Sequence, residues 1–198
     1  MRATHFIGVT VISCFILLLA NCSTDRFTIQ SKDMQPQSQT MYDTTITMKY
    51  TNEEELEERF GTMNNPFISP PSAMGLNRIM VFDVQLASTM HIVVQLKRVE
   101  LQFGGKNKNP MNRFHLSQFW ENKIRESESH RGWNSSKTKK VVNQNVLPNE
   151  LTVTPGPASD GFLVFMGRFP NYGTATVYLP VFSEDGKTIH NFTFHFEF

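Results

Sequence analysis

Apolar and polar residues alternate most regularly at the C-terminal end of the chain. Phe192, Phe194, Phe196 and Phe198 fall on one parity, and Asn191, Thr193, His195 and Glu197 on the other. A period of two puts the four rings on one face of a strand, and that face requires burial. With the other face polar, the pattern is that of an antiparallel sheet with one solvated side.

The same reading carried through the chain predicts mostly strands. Residues 42–50 alternate Tyr42, Thr44, Ile46, Met48 and Tyr50 against polar neighbours. Thr51 and Glu54 have capping-box spacing and open a short acidic helix ending near Phe60 and Gly61. Its glutamates complement a helix N-terminus and are not read as a cation site. Asn64-Asn65-Pro66 and Ser69-Pro70-Pro71 form a stiff loop, and residues 79–86 and 91–103 are two strands joined around 87–89. Gly104-Gly105 ends the second, and residues 106–110 form a polar turn. Over 113–125, Leu116, Phe119, Trp120 and Ile124 fall on one helical stripe, expected to lie across the open end or edge of a sheet. Residues 127–140 are a polar, basic loop. Strands follow at 141–147, 151–154, 161–169, 174–182 and 188–198, parted by Pro, Gly, Asn and Asp turns.

This pattern predicts a mainly β fold: an immunoglobulin-like antiparallel β-sandwich of about 7–8 strands with one short inserted amphipathic helix. A small outer-membrane β-barrel is the alternative, because such barrels also end in an aromatic strand and a chain of this length holds eight strands. Lys97, Arg98 and the amphipathic helix argue against it, since a barrel's lipid-facing rows recur in every strand.

The N-terminus is built differently. After Arg2 comes an almost unbroken apolar run from Phe6 to Ala20, too short to span a bilayer comfortably and laid out like a signal peptide. It ends in Leu19-Ala20-Asn21-Cys22, which resembles the lipobox of bacterial lipoproteins. The resemblance implies removal of residues 1–21, a diacylglyceryl thioether on Cys22 and a further acyl chain on its new amine. Asn21, in place of the commoner Gly or Ala, is similar to the relaxed lipoboxes of spirochaetes. Ser23, where Asp retains a lipoprotein in the inner membrane of some bacteria, favours the outer membrane. Residues 22–40, polar and poor in apolar side chains, read as a flexible tether, and 41–198 as a single sandwich domain.

The body of the chain extends that resemblance. The Pro-Gly turn at 155–156, the Gly161–Phe165 run GFLVF, the strand containing Ala175, Phe60-Gly61 before Asn65-Pro66, and Phe119-Trp120 in the helix resemble spirochaete-like surface lipoproteins with an immunoglobulin-like domain of unassigned function. The shared motifs are structural, so no functional residue is implied beyond Cys22. The expected function is a lipid-anchored, non-catalytic interaction or structural module of the cell envelope. A small-ligand carrier or enzyme on the same scaffold is the alternative from another class.

Composition narrows the chemistry. The 198 residues carry 19 Lys and Arg against 18 Asp and Glu, a balance that gives no reason to expect nucleic acid. Of the 2 cysteines, Cys14 leaves with the signal peptide, so Cys22 has no disulfide partner. No HExxH, GxSxG, Walker loop or dinucleotide fingerprint is present, and no metal or cofactor is expected. His190 and His195 differ by an odd number, which sets them on opposite faces of one strand. The remaining candidate is a contact surface: Arg131, Trp133, Lys137, Lys139 and Lys140, cations around one indole, suited to an anionic glycan, lipid headgroups or a protein partner.

Overall fold

A computed structural model of the chain describes residues 31–32, 34–69, 78–126 and 132–198. In chain order the first strands are β1 (Gln37–Met41), β2 (Thr44–Thr51) and β3 (Arg78–Ser88), then β4 (Ile92–Gln95), β5 (Glu100–Phe103) and β6 (Lys106–Lys108). β7 (Glu150–Val153), β8 (Ser159–Gly167), β9 (Thr174–Phe182) and β10 (Thr188–Glu197) complete the set. The helices are α1 (Glu53–Phe60), α2 (Arg113–Glu126) and α3 (Ser135–Asn145). The signal segment 1–21, Cys22 and the tether as far as residue 30 lie outside the described residues.

One antiparallel sheet has the order β1-β2-β3-β8. In the other, β9 is flanked by β10 on one edge and by β5 and β4 on the other, with β6 beyond β5 and β7 beyond β4. β2, β3 and β8 thus pair as the first, second and fifth strands of an immunoglobulin domain do. β4/β5, β9 and β10 pair as its third, sixth and seventh. The expected sandwich is present, and its two open sheets replace the barrel alternative.

Burial explains the pairing. Phe192, Phe194 and Phe196 are 0% exposed and Phe198 3%, while Asn191, His195 and Glu197 on the other parity are exposed. The four rings share one interior with Ile46, Met48, Tyr50, Met80, Phe82, Leu163, Phe165, Val177 and Leu179. Phe82 sits at the centre, 4.9 Å from the Phe196 ring and 5.8 Å from Phe165.

β3 and β8 are buried on both faces. Ile79, Val81, Phe162 and Val164 point away from the sandwich interior, into a second cluster with Leu56, Phe67, Leu116, Trp120 and Val142. The helices therefore form a third layer over one sheet, where the sequence pattern predicted the helix at 113–125 across an open end or edge. The runs Ile79–Phe82 and Phe162–Phe165, apolar without alternation, are the sequence mark of that double burial. Gly161 is required at the seam: a Cβ there would lie 2.7 Å from the Leu147 side chain and 3.1 Å from the Asn145 carbonyl.

Several boundaries differ from expectation for identifiable reasons. The tether predicted over 22–40 stops sooner. The Lys32 amide donates to the Glu197 carbonyl at 2.8 Å, and the Gln37 and Gln39 side-chain amides donate to the His195 and Thr193 carbonyls, covering the free edge of β10. Tyr42 and Asp43 are the β1–β2 turn, with Tyr42 at φ 48, so the strand predicted from 42 begins at Thr44. The cap of α1 is Asn52, not Thr51; its Oδ1 accepts from the Glu55 amide at 2.8 Å. The strand predicted over 91–103 is broken by a 3-10 turn at Leu96–Arg98, where the Asn109 side chain donates to the Lys97 and Val99 carbonyls. Gly104 and Gly105, at φ 60 and 70, are the two-residue hairpin turn between β5 and β6, so residues 106–108 pair as a strand.

The largest difference is at 135–147. Residues 135–145 are helix α3, where a loop and then a strand were predicted; only Val146 makes an isolated bridge, to Phe162. Asn134 caps α3, its Oδ1 accepting from the Lys137 amide at 3.0 Å, and Thr138 and Val142 bury one turn apart.

Candidate partner-contact surface

The described part of the predicted contact surface falls on α3 and just before it. Arg131 lies outside the described residues. Trp133 is half-buried and stacks on Trp120, ring centroids 5.0 Å apart and planes 26° from parallel. Trp120 in turn donates its indole N–H to the Pro66 carbonyl at 2.8 Å. Trp133 therefore belongs to the helical layer. Lys137, Lys139 and Lys140 are exposed on α3. At about 100° per residue, Lys137 and Lys140 lie near one another and Lys139 turns toward the opposite flank.

That flank faces α2. Between the two helices runs an open groove of about 510 Å³, lined by Arg113, Phe114, Ser117, Glu121, Ser136 and Lys139, among others. Phe114 is 66% exposed. The Arg113 Nε donates to the Val146 carbonyl at 2.6 Å, which fixes the guanidinium at the groove. The Ser117 hydroxyl is buried with no partner among the described residues. Glu121 is paired to Arg125 at 3.1 Å, so two cations, an unpaired hydroxyl and an exposed ring remain to suit an anionic, hydroxyl-bearing ligand or an acidic protein segment. Phe114 was legible as a signal: it sits off the Leu116–Trp120 stripe, an aromatic residue on the polar side of an amphipathic helix.

The remaining ionisable groups are dispersed. On the outer face of β3, Asp83 accepts from Arg59 at 3.3 Å; burial raises its carboxyl above the usual range, with Arg59 opposing the shift. Arg59 also lies 5.2 Å from the Phe60 ring centroid and 5.0 Å from that of Phe162. His190 rests against Tyr42 and Phe192 while His195 meets the Thr176 hydroxyl on the outer face, the opposite orientations their spacing predicts. Among the described residues no three His, Cys, Asp or Glu side chains are placed to hold a metal ion, and no helix is long and apolar enough to cross a membrane.

No family model and no curated protein matches the chain. Its fold is similar to the crystal structure of a DUF4426 family protein from Pseudomonas aeruginosa PAO1, at 11% identity and TM-score 0.36, covering 82% of this chain and 94% of that one. At this overlap the likeness carries no functional argument.

Proposed function

We propose that the protein is a lipid-anchored interaction module of a bacterial cell envelope, non-catalytic and held to its membrane through Cys22. The observation that carries the reading is Leu19-Ala20-Asn21-Cys22 closing an apolar leader, with polar chain between it and the folded body. Two structural features support the division of labour. The space between the sheets is occupied by side chains from both, phenylalanines above all, which leaves the outer surfaces to make contacts. The groove between α2 and α3 then presents Arg113, Lys139 and Phe114 to a partner, a protein or an anionic glycan. In this reading the outer membrane is the preferred location, on the strength of Ser23.

Two or three acyl chains hold a protein firmly, because each buried methylene contributes about 0.8 kcal/mol. In the bacterial host, Cys22→Ala should therefore lose incorporation of a labelled fatty acid and shift from the detergent-rich to the aqueous phase on partition. Equal labelling of wild type and variant overturns the proposal.

A further inference from the structure

The two poles of the sandwich differ in charge. Strand register defines them: Phe103 pairs with Ala175, Glu197 with Thr174 and Arg78 with Gly167, so the 104–105 and 168–173 turns lie at one pole. The Lys32 amide is tied to Glu197 at the same pole. Its exposed cations are Lys32, Lys106, Lys108 and Arg168, and none of them forms an ion pair among the described residues. Lys106, Lys108 and Arg168 line an open corner of about 490 Å³ between the edges of β6 and β8. Tyr172 stands beside this pole, 79% exposed. Among the described residues its exposed acids are Glu54, in the first turn of α1, and Glu197, whose carboxylate already accepts from the Thr174 hydroxyl. The other pole gathers the 42–43, 89–91 and 183–187 turns, with Asp43, Glu184 and Asp185; there Lys187 is paired to Asp185 at 2.8 Å.

We infer that the Lys106, Lys108 and Arg168 corner, with Tyr172, rests on anionic phospholipid headgroups of the bilayer that holds the anchor. This inference rests on acylation of Cys22. Chain length then decides which pole faces the lipid. Nine residue steps separate Cys22 from Ser31, a reach of at most about 32 Å when fully extended and about 17 Å as a coil. Ser31 donates its hydroxyl to the Glu197 carbonyl, at the basic pole. From there to the acidic pole is the length of β10, 10 residues or about 33 Å, plus a turn. As a coil the chain falls well short of bringing the acidic pole to the lipid surface, which would take a tether stretched to about its full reach or beyond. With the basic pole held near the bilayer, each cation next to an anionic surface improves the contact on the order of five-fold. An exposed tyrosine suits the headgroup layer.

The test uses the acylated, full-length mature protein in vesicles, with the intact mass of the same sample recorded. Asn171→Cys at the basic pole or Thr89→Cys at the acidic pole carries a donor fluorophore, and a headgroup-labelled lipid carries the acceptor. In vesicles with about a third phosphatidylglycerol, energy transfer should be several-fold higher from position 171 than from 89. The difference should shrink in pure phosphatidylcholine, in high salt, and in a variant combining Lys106→Gln, Lys108→Gln and Arg168→Gln. An acylated sample with equal transfer from both positions overturns the orientation, and a difference indifferent to the three substitutions overturns the headgroup contact; either result leaves the anchor standing. A sample without the acyl mass overturns the anchor and the orientation with it.

Discussion

The phenyl rings of β10 and the polar side chains between them have opposite costs of removal. Phe194 is fully buried among residues of both sheets, so Phe194→Ala loses both its transfer energy and the cavity it leaves, about 3–5 kcal/mol. His195, whose exposed ring meets the Thr176 hydroxyl, should tolerate His195→Gln within about 0.5 kcal/mol. Chemical denaturation of the two variants checks the pair; similar losses would mean the strand's faces are misassigned. Asp83 makes a residue-scale prediction of another kind. Burial raises its carboxyl in the folded state, so the native protein keeps that proton at pH values where the unfolded chain has released it. Stability should accordingly fall as pH rises from about 4 through the folded-state value. Lys49 and Asp160 also act on this group, with opposite signs, and Arg59 is its bonded partner. Asp83→Asn should flatten that part of the pH profile, measured as denaturation midpoints; an unchanged slope would assign it to another group.

At the scale of elements, the pattern revealed the helices α1 and α2 and hid α3. α2 places Leu116 and Trp120 inward one turn apart, and its stripe was readable because both are large. Trp120→Ala should cost about 3–5 kcal/mol, since it empties the space between Trp133 and Phe119 and leaves the Pro66 carbonyl without its donor. A thermal or denaturant series giving less than about 0.5 kcal/mol would make the helical layer a solvated decoration. α3 was illegible because its apolar signal is Val141-Val142, two adjacent β-branched residues that favour a strand when read alone. Its inward face is Thr138 and Val142, and a threonine in that role leaves no stripe to count. With 135–145 helical, Lys139 lines the groove beside α2 while the Trp133 indole stacks on Trp120. β1 escaped notice for a related reason. Gln37 and Gln39 read as tether composition, yet their amides serve the carbonyls of a strand some 155 residues away.

For the whole molecule, the sandwich was legible and the third layer was not. Alternation locates strands with one dry face, and β10 and β2 are of that kind. β3 and β8 lack alternation because their second face is also dry, and only the helices explain it. The layered body leaves one chain end tied at the Glu197 pole, a short span of sequence from Cys22. That span links the fold to the proposed function, and its starting point can be weighed directly. Mass spectrometry of the N-terminal peptide of protein extracted from host membranes reads both the cleavage site and the modification. The account predicts a peptide that begins at Cys22, lacks residues 1–21, and is heavier than its sequence by a diacylglyceryl group and a further acyl chain. A peptide that begins elsewhere, or one in which Cys22 carries a free thiol, contradicts it.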